Sequence, residues 1–336
     1  MNIKKTVFAI VYAVFILLIF EAWARGYYAA GRGLSFFSRP DDQVYLWYPQ
    51  LKQLENYKYD SDKYNVLLLG GSVLTEDWGE VPAYLGGVIE GASGKKANIV
   101  NLAAAAHSSL DSYYKYLWVR DRKFDSVFFY HGINEARANN VPPDIWKDDY
   151  SHYSWYSEVN FFFRHPWLRK AGLLLPYFFK HLMVQIDREV LNRHGYVPEH
   201  SPRPEWVAYG VDVKTKNSFK NNLKHIVDLA ESKGEPLTVM TFAYYREEGS
   251  GSAEGEQAPD KKFTEIWGNE ENVIKGMDAH NDVIRELAAS GSFIFLDQKS
   301  KMGNGREFFK DICHFTPEGS RVFASNMSGA VKLSKK

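Results

Sequence analysis

Cysteine is almost absent from this chain. Cys313 is the single one among 336 residues. An intramolecular disulfide is therefore excluded, as is a zinc site built on cysteines, and cysteine usage assigns no redox compartment. Net charge is absent too. Lysine and arginine together number 41, as do aspartate and glutamate, so the formal charge is zero. The basic footprint of a nucleic-acid-binding protein is missing, and no nucleic-acid partner is expected. There is no Walker-type or dinucleotide glycine loop, no His/Asp/Glu cluster with convincing metal-ligand spacing and no internal repeat. No metal and no cofactor is expected on these grounds. The rest is ordinary for a globular protein, with 45% apolar and 24% charged residues. The length suits one large α/β domain with insertions, or two small domains. Aromatic residues are in excess at 15%, and much of that excess lies between Tyr150 and Phe179.

The first 25 residues read as separate from the globular part. Met1 to Lys5 is short and basic, Thr6 to Phe20 is uncharged and rich in Phe, Val, Ile and Leu, and Glu21-Ala22-Trp23-Ala24-Arg25 follows. Two readings compete. Ala22-Trp23-Ala24 has the small-x-small form of a secretory cleavage site. The alternative is an uncleaved signal anchor, a single transmembrane helix that reaches most of the required length when Trp23 and Ala24 are included. Lys4 and Lys5 on one side nearly balance Arg25 and Arg32 on the other, so charge bias does not orient the segment. We take the anchor reading. Both readings place the remaining chain outside the cytoplasm, and the anchor makes the membrane a partner.

Residues 26–60 are rich in Gly, Tyr and Asp with little periodicity and read as a linker. From there strands and helices alternate. Asn65 to Leu69, Ala97 to Leu102, Asp125 to Tyr130, Leu237 to Ala243 and Ser292 to Leu296 are apolar runs of strand length. Val81 to Glu90, Asp111 to Val119, Phe219 to Ser232, Asn272 to Ala289 and Pro317 to Leu333 carry helical spacing. Continuous apolar strands with intervening helices predict a parallel sheet covered on both faces. Functional loops then fall at the carboxyl ends of the strands. The expected organisation is a membrane segment over 1–25, a linker over 26–60 and one α/β domain over 61–336. Residues 139–213 interrupt that domain as an insertion, and Glu247 to Trp267 reads as a polar loop.

Asp311-Ile312-Cys313-His314 places an acid and an imidazole three residues apart, just before the helix-start signal Thr316-Pro317-Glu318. A carboxylate so placed can orient a histidine and stabilise its protonated form, two of the three roles in a Ser-His-Asp site. The third candidate is Ser72. It follows Gly70-Gly71 at the tip of a buried strand, where a helix N-terminus favours nearby negative charge. Alone, Ser72 reads more simply as a helix N-cap, which is common, and it takes the other blocks to reverse that.

Four blocks fall at strand ends or at the last helix start: Gly70-Gly71-Ser72, Asn101 to Ser109, Gly132-Ile133-Asn134-Glu135, and Asp311 to His314. In this order and context the chain resembles the SGNH, or GDSL-like, hydrolase family over roughly residues 62–332, outside the insertions. The resemblance implies a flavodoxin-like three-layer α/β/α fold. It implies Ser72 as nucleophile, His314 as general base and Asp311 as its orienting acid. The oxyanion donors would be the Ser72 N–H, the Asn134 side chain and the backbone of Ala106, where the family usually has glycine. Gly71 stands where many members have Asp, and Glu135 replaces the usual Asp. Both departures spare the proton-transfer groups. The implied activity is ester hydrolysis, on O-acyl and most simply O-acetyl groups of cell-envelope or exported carbohydrate. Alternatives are a polysaccharide O-acyltransferase using the same triad, a lipid esterase, or a non-catalytic carbohydrate-binding or scaffold relative. The substrate partner is thus an acylated carbohydrate or lipid. His107 and His131 lie near this site and are more simply structural than substrate-binding.

Trp155 to Val190 interleaves Phe161-Phe162-Phe163, Leu173-Leu174-Leu175 and Tyr177-Phe178-Phe179 with Arg164, Arg169, Lys170 and Lys180. It reads as a helical pair packed by its apolar face, or as an amphipathic lid or membrane-surface segment.

Overall fold

A computed structural model describes residues 3–191, 203–246 and 266–331. The elements in chain order are α1 (Ile3–Gly31), β1 (Lys63–Gly70), α2 (Val81–Ser93), β2 (Lys96–Asn101), α3 (Ser109–Trp118), β3 (Ser126–Tyr130), α4 (Ser154–Arg164), α5 (Leu175–Gln185), α6 (Thr215–Lys233), β4 (Leu237–Met240), α7 (Glu270–Ala288), β5 (Ile294–Leu296) and α8 (Pro317–Asn326). The chain divides into two compact units. One joins Met1–Pro49 to Tyr150–His194, and the other comprises Gln50–Asp149 and Gly195–Lys336.

The larger unit holds a five-stranded parallel sheet in the order β2-β1-β3-β4-β5. This is the flavodoxin-like α/β arrangement, with the strand order reversing between β1 and β3. β1 is buried from Tyr64 onward, and β3 and β4 are buried throughout. Parallel strands covered on both faces need such runs. Helix α2 packs against α8, and α6 packs against both α3 and α7. Local signals set the helix ends. Ser108 and Asp111 form a capping box at the start of α3, with the Ser108 N–H donating to Asp111 Oδ2 at 2.7 Å, and this satisfies first-turn donors. Gly94 and Gly234 close α2 and α6 in the left-handed conformation.

Two elements end earlier than their apolar patterns suggest. β4 stops at Met240 because the following backbone bonds elsewhere. The Phe242 N–H donates to Asn281 Oδ1 at 2.6 Å and the Ala243 N–H to Tyr130 Oη at 3.0 Å. α8 stops at Asn326 and passes into a 3-10 turn, Met327–Ala330. Residues 247–265 of the expected polar loop and 192–202 of the insertion lie outside the described residues.

In the smaller unit, α1 is exposed from Ile3 to Phe20 apart from half-buried Thr6 and Ile16, and it buries Glu21, Ala24 and Tyr28 on one stripe. It is long and apolar enough to cross a membrane. The helix continues six residues past the expected boundary at 25. Residues 26–60 are not a featureless linker: Pro40–Gln43, Val44–Trp47 and Pro49–Leu54 are short helical turns. Aromatic packing holds the second of these turns. Within this unit Trp47 packs edge-on against Phe162, and Tyr48 against Trp155. Helices α4 and α5 pack on each other and bury Tyr156, Val159, Phe162, Tyr177 and Phe178. The helical-pair expectation for Trp155 to Val190 therefore describes one of its faces. Trp167, Leu173, Phe179 and Met183 stay exposed on the other.

Candidate active site

All of the sequence-predicted site residues lie in the larger unit, at the carboxyl end of its sheet. β1 ends in Gly70-Gly71, and Ser72 opens a short 3-10 turn, Ser72–Leu74. The first residue of such a turn has no intrahelical acceptor for its N–H. Ser72 is buried, and its Oγ lies 2.8 Å from His314 Nε2. His314 Nδ1 lies 2.7 Å from Asp311 Oδ2. A carboxylate only accepts, so Nδ1 carries the proton and Nε2 accepts from the Ser72 hydroxyl.

The three-residue spacing of Asp311 and His314 has a local cause. Asp311 Oδ1 accepts from the backbone N–H groups of Cys313 at 2.9 Å and His314 at 2.8 Å, closing a tight turn. One carboxylate therefore folds the loop with one oxygen and orients the imidazole with the other. Burial pushes the Asp311 carboxyl upward, but the His314 ring and the two backbone donors outweigh it and hold it below its ordinary value. Thr316 then caps α8, its hydroxyl accepting from the Gly319 N–H at 3.1 Å. Trp78 stacks on the His314 ring, with centroids 4.6 Å apart and planes 25° apart.

Asn134 sits in the turn Ile133–Ala136 that follows β3. Its Nδ2 donates to the His107 carbonyl at 2.9 Å, and Trp267 Nε1 donates to its Oδ1 at 3.4 Å. Those partners assign the amide orientation. An NH₂ group has two donors, so one remains after the bond to His107. A Cβ placed on Gly71 would come within 2.7 Å of Asn134 Nδ2. The amide thus lies against the backbone immediately before Ser72.

Ala106 precedes His107 in the loop after β2. Its φ is +66°, in the left-handed region that favours glycine. The glycine expected at this position by resemblance is replaced by alanine, but the backbone conformation is the glycine-like one. Among the described residues the Ala106 N–H makes no hydrogen bond, while its carbonyl accepts from Arg137 Nη2 at 2.5 Å. Arg137 Nε also donates to the Asn134 carbonyl at 3.2 Å. One guanidinium therefore ties the Ala106 loop to the Asn134 turn. Sequence reasoning passed over Arg137, Trp78 and Trp267. Only Arg137 carried a local signal, its three-residue spacing from Asn134 on one face of a helical turn.

A buried polar layer lies behind these groups. Lys115, fully buried, donates to the Leu102 carbonyl at 2.5 Å and lies 3.0 Å from His107 Nδ1. Burial pulls its ammonium down to about 8. His131 is 2.7 Å from Ser112 Oγ, and burial holds it well below the ordinary histidine range. Both histidines have structural partners. Glu135 accepts from the Ser109 N–H through Oε1, and Oε2 is buried without a partner among the described residues. Burial pushes this carboxyl up to about 7.

Among the described residues, Asp311, Cys313 and His314 are the one trio whose potential metal-ligand atoms converge, within 4.8 Å. Its donors are already engaged, since Asp311 holds His314 Nδ1, and burial raises the Cys313 thiol well above its ordinary value. The trio is better suited to a hydrogen-bond relay than to a metal, which needs deprotonated ligands.

No protein-family model matches the chain. No curated protein matches it. Solved structures do resemble it. A GDSL-like lipase from Bacteroides thetaiotaomicron VPI-5482 is 12% identical, with 87% of this chain and 97% of that one covered at a TM-score of 0.46. Axe2, an acetylxylan esterase from Geobacillus stearothermophilus, is 13% identical, with 81% and 95% covered at 0.44. The lipase/acylhydrolase from Enterococcus faecalis is 12% identical, with 81% and 99% covered at 0.40. These neighbours are acyl-ester hydrolases by name.

Proposed function

We propose that the chain is a serine ester hydrolase of the SGNH type, held at a membrane by α1 with its larger unit outside the cytoplasm. The observation that carries the reading is the unbroken relay from Ser72 Oγ through His314 to Asp311, at 2.8 and 2.7 Å. Ser72 attacks an ester carbonyl while His314 Nε2 takes the hydroxyl proton. Asp311 stabilises the imidazolium that forms. His314 then protonates the leaving alkoxide, and a water repeats the sequence to free the acid. The developing oxyanion is met by the second Nδ2 hydrogen of Asn134 and the N–H groups of Ser72 and Ala106. Removing one such donor typically costs about 10²–10³ in kcat.

The proposed substrates are O-acyl, most simply O-acetyl, groups on cell-envelope or exported carbohydrate. Resemblance in motif order and the membrane-spanning length of α1 support that choice. Purified full-length protein should turn over p-nitrophenyl acetate and be labelled by a fluorophosphonate at Ser72. Ser72→Ala should lose both. Turnover at the wild-type rate in Ser72→Ala would overturn the reading. Acetate release from an acetylated glycan, measured beside acetyl transfer to a deacetylated one, distinguishes water from a sugar hydroxyl as acceptor.

A further inference from the structure

The base of α1 is built differently from the rest of that helix. Ile3 to Phe20 is exposed at all but Thr6 and Ile16, and at 1.5 Å per residue it spans about 27 Å, close to the roughly 30 Å of a bilayer's hydrocarbon core. One turn further on, the helix carries an ion pair, Arg25 Nε to Glu21 Oε1 at 2.7 Å. Arg25 donates to three carbonyls from two other segments: Phe36 at 3.0 Å, Ser38 at 3.0 Å and Gly172 at 2.8 Å. Glu21 accepts from the N–H groups of Leu174 at 3.0 Å and Leu175 at 2.9 Å. The Phe36-Phe37 loop and the Gly172-Leu173 turn are thereby fixed within one guanidinium's reach of the helix, at the level where its exposed apolar stretch ends.

What these segments leave uncovered is large and apolar. Phe37 is 86% exposed, Trp167 63%, Trp23 60%, Leu173 43% and Phe36 41%. Isolated exposed hydrophobics are ordinary. Here Trp23 is on one apolar helix and the others lie in two segments tied to its foot through Arg25 and to each other through Arg169 and Asp41, segments that also carry the exposed cations Arg39 and Lys170. Aromatic side chains favour the headgroup layer, where a ring can be half in lipid, and cations there meet anionic lipid.

We propose that Trp23, Phe36, Phe37, Trp167 and Leu173 form an apolar collar that seats in the headgroup layer of the same bilayer that α1 enters. The partner is a lipid surface. The inference rests on the membrane-anchoring reading of α1 and is independent of the esterase chemistry. The collar ends the spanning segment near Phe20 and fixes the smaller unit flat against the bilayer.

The test is depth measurement on the full-length chain in vesicles of phosphatidylcholine and phosphatidylglycerol. Cys313 is fully buried, so a nitroxide reagent reports on an introduced cysteine. Four variants suffice: Leu17→Cys in the helix, Phe37→Cys and Trp167→Cys in the collar, and Lys224→Cys on an exposed face of the larger unit. Circular dichroism checks that each is folded. Collisions with oxygen, which enters lipid, are compared with those of a water-soluble nickel chelate. Leu17 should favour oxygen strongly and Lys224 the chelate. Phe37 and Trp167 should fall between, with nickel accessibility several-fold below Lys224. If Leu17 is in lipid while Phe37 and Trp167 match Lys224, the collar is wrong and the anchor stands. If the collar labels are shielded from both reagents, a protein surface covers them and the lipid assignment is overturned. If Leu17 itself matches Lys224, anchor and collar fall together, and p-nitrophenyl acetate turnover still judges the esterase reading separately.

Discussion

Gly71→Ala is the most local perturbation of the proposed oxyanion site. Gly71 has φ −91° and ψ −160°, an extended conformation open to alanine. Backbone strain is therefore not the issue. The added methyl would lie 2.7 Å from Asn134 Nδ2, 3.8 Å from the His107 carbonyl oxygen and 3.9 Å from Asn134 Cγ. Ordinary contact begins near 3.5 Å, so the amide must retreat by roughly 0.8 Å. That retreat works against the bond from Nδ2 to His107. Misplacing a reacting group by about 1 Å can cost on the order of 10² in rate, and outright loss of a donor costs about 10²–10³. Gly71→Ala should thus lower kcat on p-nitrophenyl acetate by roughly 30- to 100-fold. KM should change little, as expected of an interaction made only in the transition state. Asn134→Ala sets the floor. Because both changes act through one amide, the double variant should be no slower than Asn134→Ala alone. Full kcat in Gly71→Ala, or multiplicative losses in the double variant, would refute the reasoning.

Two further outcomes are expected. Ala106→Gly should stabilise the protein modestly. Left-handed backbone costs a non-glycine residue about 1–2 kcal/mol, and glycine's extra chain entropy returns about 0.5–1 kcal/mol of that. A gain of up to about 1 kcal/mol, or a few degrees in Tm, should appear by calorimetry, with kcat retained because the N–H remains. A lower Tm would remove the strain argument. Glu135→Gln should flatten the dependence of stability on pH. The Glu135 carboxyl titrates near about 7 when folded against an ordinary value of 4.5. Between those values the folded chain keeps a proton that the unfolded chain has released, so stability falls as pH rises through that window and stays low above it. Glutamine holds no such proton and can still accept from the Ser109 N–H. Urea melts should show a gain of up to about 3 kcal/mol at pH 8 and little at pH 5. An equal effect at both pH values would contradict the assignment.

The strands of the larger unit were readable because a parallel sheet buried on both faces must be written as continuous apolar runs, and Asn65 to Leu69 and Asp125 to Tyr130 are such runs. Gly70-Gly71 and Gly132 then marked where those strands stop, which placed Ser72 and Asn134 at one end of the sheet. Asp311 and His314 were readable for another reason: their contact is local and closes one turn. What escaped was set by distant partners. β4 ends where Asn281 and Tyr130 claim its backbone, and nothing within residues 237–243 records that. Trp78 and Trp267 reach the site from irregular segments, where periodicity carries no information. The order around Trp47 and Tyr48 escaped for a similar reason, since it depends on aromatic partners more than a hundred residues away, Phe162 and Trp155.

The carboxylate of Glu21 caps a helix in a different part of the chain, since α5 has no side-chain cap of its own. Ala22-Trp23-Ala24, the stretch that resembles a processing site, lies between that carboxylate and Arg25. A protease acting after Ala24 would carry off the acceptor for the Leu174 and Leu175 N–H groups and leave the guanidinium of Arg25 without its counter-charge. Maturation by cleavage would therefore cost the smaller unit a cap and an ion pair. The leader-like segment is an internal structural member of the unit it introduces.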